Sequence, residues 1–225
     1  KISTAGRIWS STNEFFEKCP APIIGVTGTK GKGTTCSLIT SILRAAGKKV
    51  HLVGNIGVPA LELLSDIQQN DIVIYELSSF QLWDLERSPH VAVVLMIEPD
   101  HLDVHSSFEQ YVEAKSHIAN YQSSEDVVIH HPTNEFSRKA AAGGSGRHLR
   151  YGVRDDGLVY VDMNNFCIQG DAICGVDTLH IAGRHNLENA SAAISAARCI
   201  MPEVTNLQIQ EGLGSFDGLP HRLKF

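Results

Sequence analysis

The sequence contains no apolar run approaching the roughly 18 residues that a transmembrane helix requires, and no block of about five or more like charges. It also has no basic stripe, and its formal net charge is −6. These absences disfavour a membrane span and a general affinity for nucleic acid or acidic membranes. We therefore expect neither kind of partner, and we expect anions to bind only where positive charge is concentrated locally.

The chain has few cysteines and no recognisable leader segment. Its five cysteines are odd in number and scattered, which disfavours a disulfide framework and a zinc site. The sequence begins at Lys1 rather than at methionine, without a charged stretch followed by an apolar one. We therefore expect reduced thiols, a cytoplasmic location, a monomer, and a piece of a longer protein.

A glycine-rich run at 25–35 is the most informative part of the sequence; it reads Gly-Val-Thr-Gly-Thr-Lys-Gly-Lys-Gly-Thr-Thr. Such a run leaves consecutive backbone N–H groups free to face a phosphate, and the following helix adds the positive end of its dipole. The usual phosphate-loop pattern has glycine where Val26 stands and a hydroxyl residue where Gly33 stands. We predict an ATP site in which Thr34 supplies the missing hydroxyl to magnesium.

Apolar runs alternate with helical patterns along most of the sequence. Continuous apolar strands alternating with helices are typical of a parallel sheet covered on both faces. We predict an α/β fold with a mostly parallel, doubly wound sheet, flanked by helices and carrying the phosphate loop. The predicted strands are 22–27, 50–53, 71–77, 91–97 and 126–130. The predicted helices are 34–46, 60–64, 108–121, 134–142, 185–200 and 207–213.

A different pattern occupies the segment at about 149–181. Short apolar runs are separated there by Asp-Asp-Gly at 155–157 and by Asn-Asn at 164–165, which are residues typical of hairpin turns. The segment therefore predicts a small antiparallel β flap beside the main sheet.

Three polar segments follow predicted strands, at 54–57, 76–82 and 98–103. Ligands of doubly wound sheets bind at the carboxyl ends of the strands, so we expect these segments and the phosphate loop at one edge. A strand-end acid such as Glu76 is more often a capping or solvated carboxylate. Beside a phosphate loop it becomes a candidate ligand for Mg²⁺, which prefers one or two carboxylates together with phosphate oxygens and water.

At this point the chain resembles the Mur ligases of peptidoglycan synthesis. The resemblance rests on several blocks that occur in order and together cover nearly the whole chain. Each block alone is weak evidence, whereas seven in register are specific. The blocks lie at 27–32, 54–57, 76–82, 100–103, 114–115, 185–190 and 218–222.

The resemblance implies a division into domains and a reaction. It implies that 1–217 form the central ATP-binding domain, that 218–225 form a hinge and the start of a missing C-terminal domain, and that the N-terminal UDP-binding domain is absent. The implied reaction transfers the γ-phosphoryl group of ATP to the carboxylate of UDP-N-acetylmuramoyl-L-alanine. The amine of D-glutamate then attacks this acyl phosphate. We do not expect full ligation from the fragment alone.

The resemblance also implies roles for individual residues, with ATP and Mg²⁺ as the small-molecule partners. Lys32 is expected at the β and γ phosphates, Asn189 at the adenine, and Arg222 at the γ-phosphate. The implied nucleotide-binding residues are Gly28, Thr29, Lys30, Gly31, Lys32, Gly33, Thr34, Asn189 and Arg222. The implied catalytic residues are Lys32, Glu76, His101 and Lys115, and the implied substrate-binding residues are Asn55 and Ser78. The implied magnesium ligands are Thr34, Glu76, His101 and carbamylated Lys115.

Lys115 has two conflicting interpretations. On periodicity alone it is a solvated lysine on a helix. The resemblance instead implies that CO₂ carbamylates its amine and so converts a cation into a carboxylate that binds magnesium. Carbamylation requires an unprotonated amine, whereas an ordinary lysine has a pKa of about 10.4, so the side chain would need surroundings that disfavour charge.

Two alternatives stay open. The Lys-Gly-Thr order at 32–34 also resembles folylpolyglutamate synthase, a related ligase that adds glutamate after phosphorylating a carboxylate. A non-catalytic nucleotide-binding module would need the phosphate loop but neither Glu76 nor His101. The blocks at 76–82 and 218–222 favour the muramoyl ligase over folylpolyglutamate synthase.

Overall fold

The computed structural model describes residues 9–55, 58–100, 107–154 and 157–218. Strands and helices alternate through most of this range, and short 3-10 turns follow α3 and β9. The strands are β1 (Ile23–Thr27), β2 (Val50–Gly54), β3 (Ile72–Glu76), β4 (Val91–Val94), β5 (Val127–His130), β6 (Arg147–Arg150), β7 (Tyr160–Asp162), β8 (Asn165–Ile168) and β9 (Asp171–Gly175). The helices are α1 (Ser11–Lys18), α2 (Lys32–Ala45), α3 (Ala60–Leu63), α4 (Ser79–Leu82), α5 (Phe108–Asn120), α6 (Glu135–Ala140), α7 (Arg184–Ile200) and α8 (Asn206–Gly214).

Six strands form a parallel sheet in the order β2-β3-β1-β4-β5-β6. The most apolar strands occupy the middle, where β1 pairs with β3 through Ile24 and Ile74 and with β4 through Val26 and Val93. From β1 the chain runs to the edge of the sheet at β2, returns to β3 beside β1, and then crosses β1 to reach β4. The loop after β1 therefore lies between the ends of β3 and β4, where doubly wound sheets bind ligands.

Side chains of successive residues in the central strands enter two separate cores. Ile72 and Ile74 of β3 belong to the core beneath α2, α7 and α8, whereas Val73 and Tyr75 belong to the core beneath α1 and α5. This alternation follows from the two-residue repeat of a strand, and it explains why these strands are apolar on both faces. The predicted doubly wound α/β fold is confirmed.

The antiparallel β flap is confirmed but is shorter than predicted. It consists of β7, β8 and β9, which span 160–175. The predicted flap at 149–181 wrongly included the end of β6, which pairs with β5 as the edge of the main sheet. Since β6 reads Arg-His-Leu-Arg and is mostly exposed, it lacks the apolar run that marks the inner strands. Charged edge strands also resist pairing with other chains.

Two helices at the start and middle of the chain were not predicted. Helix α1 is capped by the Ser10 side chain and buries Phe15 and Phe16 against Tyr75. Helix α4 is a single turn held by a capping box between Ser78 and Gln81. Both are too short to show a clear helical repeat in the sequence. Among the described residues, no helix combines the length and apolar character needed to cross a bilayer.

A buried carboxylate joins β2 to the start of β3 at the edge opposite the phosphate loop. Asp71 Oδ2 accepts from the Gln68 backbone N–H at 3.0 Å, contacts His51 Nε2 at 2.8 Å, and lies 3.2 Å from Lys49 Nζ. Burial would raise the pKa of Asp71, but the Gln68 N–H and the His51 and Lys49 side chains outweigh it and lower the pKa to about 2.

We expect Asp71→Asn to lower the free energy of unfolding by about 1–2 kcal/mol at pH 7, because the buried amide loses a charge-assisted contact. An unfolded aspartate titrates at about 3.9, so the contribution is complete above that pH and is lost as the pH falls towards about 2. Urea unfolding at several pH values measures this. Asp217→Asn, at an exposed position, is the matched control. A stability difference between Asp71→Asn and the native chain that does not shrink on acidification would contradict the assignment.

Candidate functional site

The loop between β1 and α2 is shaped by two glycines with positive φ. Gly28 has φ +151°, and a Cβ there would lie 2.7 Å from Leu95 Cβ. Gly31 has φ +86° and caps α2, and a Cβ there would clash with the side-chain amide of Asn189. With these side chains absent, the backbone turns tightly into α2, whose first-turn N–H groups have no acceptor within the helix. The loop thus forms a cradle for an anion.

Thr29 fixes the loop to the segment that follows β4. Its backbone N–H donates to Met96 O at 2.9 Å. Its hydroxyl accepts from Glu98 N at 2.9 Å, lies 3.0 Å from Glu98 O, and contacts the Tyr111 hydroxyl at 3.3 Å. The loop and the end of β4 therefore move together.

Two lysines supply positive charge at the loop. Lys32 Nζ donates to Gly28 O and Thr29 O, each at 3.0 Å, so its ammonium lies on the cradle itself. Lys30 Nζ lies 3.9 Å from Glu98 Oε2, and both side chains are well exposed. An exposed pair of this kind is weak, so an incoming phosphate can displace Glu98 as the partner of Lys30.

Glu76 lies at the carboxyl end of β3 and is only 4% exposed. Its backbone is closely packed, because a Cβ on Gly54 would clash with Glu76 O and because Asn55 N donates to that oxygen at 3.3 Å. Burial raises the pKa of the Cys36 thiol, and the charge of Glu76 raises it further, which places the carboxylate near the first turns of α2. Thr34, at the third position of α2, is also buried.

Lys115 lies inside the protein, so the interpretation from periodicity alone is wrong. The side chain is 1% exposed, and its Nζ donates to Gly28 O at 3.1 Å and to Thr27 Oγ1 at 3.3 Å. It also lies 4.6 Å from the centre of the Tyr111 ring. Burial and the nearby charge of Lys32 lower the pKa of Lys115 to about 7, although Asp100 opposes the shift. A large share of this amine is therefore unprotonated at neutral pH.

A cavity of about 480 Å³ extends from the loop along the carboxyl ends of β4, β5 and β6. Asn189 of α7 is buried on its wall, against Gly31, and donates from Nδ2 to Asn186 Oδ1 at 3.2 Å. His131 and Tyr151, which follow β5 and β6, line the opposite part. The remaining lining residues are Lys30, Leu95, Met96, Glu98, His185 and Glu188.

The structure brings most of the predicted residues together, but not all can be placed. The loop residues 28–34, Asn55, Glu76, Lys115 and Asn189 are placed by the contacts above. Ser78 lies on the same edge, but its hydroxyl donates to Gln81 Oε1 at 2.9 Å and accepts from Gln81 N at 3.3 Å, as expected of a helix cap. His101 and Arg222 lie outside the described residues.

Residues 26–197 match the family model described as "Mur ligase middle domain". The chain belongs to the Mur ligase family. It is 36% identical over 221 residues to the UDP-N-acetylmuramoylalanine–D-glutamate ligase of Clostridium kluyveri. That alignment covers 97% of this chain and 47% of the relative, so the chain spans about half the length of the curated relatives it matches.

Solved structures agree with a Mur ligase fold. The UDP-N-acetylmuramate:L-alanyl-gamma-D-glutamyl-meso-diaminopimelate ligase from Neisseria meningitides has a TM-score of 0.72 and 21% identity, covering 93% of this chain and 71% of its own. A mutant of L. casei FPGS has a TM-score of 0.69 and 15% identity, covering 98% of this chain and 71% of its own. The two scores are nearly equal, so the fold alone does not separate Mur ligases from FPGS.

Sequence reasoning missed His131, Glu188 and Tyr151 in the Mur ligase cavity. Tyr151 follows β6 and falls, with the end of that strand, in the flap predicted at about 149–181, so the sequence does not indicate its place beside the cavity. Glu188 directly precedes Asn189 in the predicted block at 185–190, and this adjacency was the available signal. His131 follows β5 and could have been suspected from the rule that strand ends face ligands.

Proposed function

We propose that this chain is the central ATP-binding domain of a ligase that joins D-glutamate to UDP-N-acetylmuramoyl-L-alanine through an acyl phosphate. The observation that carries the proposal is the buried amine of Lys115, which donates to the phosphate loop at Gly28 O. A module that only binds a nucleotide has no evident need for a neutral amine beside the phosphates. The curated relatives named as D-glutamate ligases, at about 36% identity, support the choice of substrates.

The residues present fit a nucleoside triphosphate with magnesium. Gly28 and Gly31 let the loop pack closely against Leu95 and Asn189, so that it turns tightly into α2, whose first-turn N–H groups can face an anion. Glu76 and Thr34 offer a carboxylate and a hydroxyl for Mg²⁺, and we propose that carbamylated Lys115 and His101 add further ligands. No cluster of three or more His, Cys, Asp or Glu side chains that could hold a metal occurs in the described part of the chain. A magnesium ion here would rely on phosphate oxygens, as is common for Mg²⁺.

Each polar group then has a defined task. The first-turn N–H groups of α2 and the ammonium of Lys32 hold the β and γ phosphates, and Asn189 contacts the base. When bound, magnesium neutralises charge on the phosphates and polarises the transferred group. Asn55 follows β2, next to Glu76, on the side where the acceptor carboxylate would approach. We also propose Arg222 at the γ-phosphate, and Ser78 as a residue that shapes the acceptor side by capping α4.

The proposal includes the domain boundaries expected from the sequence, with 1–217 as the central domain and 218–225 as a hinge. It also includes the cytoplasm as the site of action, where the nucleotide substrates are available. The monomeric state stays a prediction. Since flanking domains would complete the nucleotide site, we expect the 225-residue chain alone to bind ATP weakly.

A folate-directed ligase is the second candidate, because the Lys-Gly-Thr order at 32–34 and the fold of FPGS both fit it. Assaying ADP release by the longer protein decides between them. Release that requires UDP-N-acetylmuramoyl-L-alanine and D-glutamate supports the proposal. ADP release only with a folate and glutamate would favour the second candidate. ATP binding without ADP release with either acceptor would favour a non-catalytic module.

A further inference from the structure

The cavity beside the phosphate loop has an acidic side chain that the proposed chemistry does not use. Glu188 lies on α7 next to Asn189 and lines the cavity. A carboxylate close to a triphosphate is unfavourable unless it accepts a hydrogen bond from the bound molecule. A nucleotide bound in this cavity would therefore be expected to present a hydrogen-bond donor to Glu188.

His131 lies beside this carboxylate and has a defined tautomer. The backbone N–H groups of Thr133 and Asn134 both point at His131 Nδ1, at 3.3 and 3.1 Å. Since Nδ1 is an acceptor, the proton of the neutral ring lies on Nε2, which is 3.7 Å from Glu188 Oε2. Burial lowers the pKa of His131, although Glu188 opposes this, and the lowered pKa favours the neutral ring. The contact engages one carboxylate oxygen, and the other can accept from a ligand.

The position of this pair favours the base over the phosphates. Val94 of β4 receives a hydrogen bond from His131 N, and β5 lies two strands from β1, or about 10 Å at the usual strand spacing. Leu95, Met96 and Tyr151 line the same cavity, and apolar and aromatic side chains suit the faces of a flat base. A ribose would present hydroxyl groups to these surfaces instead.

We propose that Glu188, positioned by His131, selects adenine by accepting a hydrogen bond from its exocyclic 6-amino group. This inference rests on the proposed nucleotide site and deepens it. Hypoxanthine and guanine carry a carbonyl oxygen at the 6-position, and a carboxylate repels that oxygen. The Glu188 carboxylate can only accept hydrogen bonds, whereas the neighbouring Asn189 amide can donate and accept. Glu188 therefore distinguishes ATP from ITP and GTP.

The test is calorimetric titration of the 225-residue chain with Mg·ATP, Mg·ITP, Mg·GTP and Mg·2′-deoxy-ATP at millimolar concentrations. A charge-assisted hydrogen bond contributes about 1.5–3 kcal/mol, which corresponds to about 10–150-fold in affinity. We expect Glu188→Gln to reduce the ATP:ITP affinity ratio by about 10-fold, because a side-chain amide can rotate and donate to the 6-oxygen. Since Glu188 is half exposed, the variant is expected to fold, and circular dichroism checks this.

Three further variants separate selection of the base from general effects on binding. Glu98→Gln removes another cavity-lining carboxylate and is expected to change the affinities for ATP and ITP by the same factor. His131→Ala is expected to lower the ATP:ITP ratio, whereas His131→Gln, whose amide can donate to Glu188, is expected to restore part of it. A purely structural role for His131 would weaken both nucleotides equally and would overturn the positioning role.

The possible outcomes distinguish this inference from the proposed function. ATP binding with an unchanged ATP:ITP ratio in Glu188→Gln overturns the inference and leaves the proposed function intact. If Glu188→Gln instead changes the ratio of affinities for ATP and 2′-deoxy-ATP, Glu188 contacts the ribose, and the inference is also overturned. If the native chain binds none of the four nucleotides, the inference fails, and ADP release by the longer protein still decides the proposed function.

Discussion

Replacing Lys115 with methionine is expected to abolish ligation in the longer protein while making the fold more stable. A buried amine with a pKa of about 7 reacts with CO₂ as its neutral form, forming an N–C bond and releasing a proton to give a carbamate. Methionine has a similar length but cannot form this anion. Loss of a charged group that positions phosphate and metal lowers turnover by about 10³-fold or more, judged from comparable electrostatic groups.

Lys115→Met is expected to lower turnover but to raise the free energy of unfolding. In the unfolded chain a lysine is protonated up to about pH 10.4, whereas folded Lys115 loses its proton near pH 7. Between these values the unfolded state binds more protons, so the native chain gains stability as the pH rises from about 7 to about 10. Methionine removes the cost of burying the amine. We therefore expect Lys115→Met to be about 1–3 kcal/mol more stable at pH 7 and to lack this pH dependence.

Two measurements check these expectations. Urea unfolding at pH 7 and pH 9.5 measures stability, with Lys139→Met, at an exposed position on α6, as the matched control. Turnover of the longer protein under CO₂-depleted and bicarbonate-supplemented conditions tests the carbamate. An active Lys115→Met variant would refute the catalytic role, and a variant less stable than the native chain would refute the desolvated amine.

Glu76→Gln is expected to have the second largest effect. The substitution keeps the shape of a side chain that is 4% exposed, but it removes the negative charge proposed to bind magnesium. We expect turnover in the longer protein to fall by about 10²–10³-fold, in the range found when a single electrostatic contact to a transition state is lost. Higher Mg²⁺ concentration should restore part of the activity, because the remaining ligands and phosphate oxygens still bind the ion.

A magnesium titration of steady-state turnover measures this shift. Glu98→Gln is the control, since the Glu98 side chain lies at the same edge of the sheet, 3.9 Å from Lys30 Nζ, and is half exposed. It is expected to leave the magnesium dependence unchanged while altering nucleotide affinity modestly. Equal magnesium curves for Glu76→Gln and the native protein would exclude Glu76 as a ligand.

The central strands and the phosphate loop could be predicted because their signals are local. Val91–Val94 and Ile72–Glu76 are apolar on both faces, as a covered parallel sheet requires. The edge strand β6 could not be predicted, because one side of it faces solvent and only pairing with β5 makes it a strand. The polar helix caps at Ser10 and Ser78 likewise became informative only with the neighbouring backbone in place.

The candidate site divides in the same way. The placement of the loop glycines and of Glu76 follows from residue type and from their positions after strands. The burial of Lys115 does not, because a lysine on a helix has the same periodicity whether it faces solvent or a loop. Its placement depends on α5 packing beside the end of β1, a contact between residues 87 and 88 positions apart in the sequence. The positions of His131 and Tyr151 beside the cavity likewise depend on the order of strands in the sheet, which the sequence does not show locally.

The packing of Asn189 against Gly31 has a consequence for the thermodynamics of nucleotide binding. The side-chain amide of Asn189, on the wall of the cavity, fills the space that a Cβ on Gly31 would occupy. A displacement of the loop therefore displaces the amide as well. Adenosine and inorganic triphosphate, added separately, should then bind cooperatively, each increasing the affinity for the other by the same factor. The backbone contact would thus link the two ends of the nucleotide energetically, without any covalent bond between them.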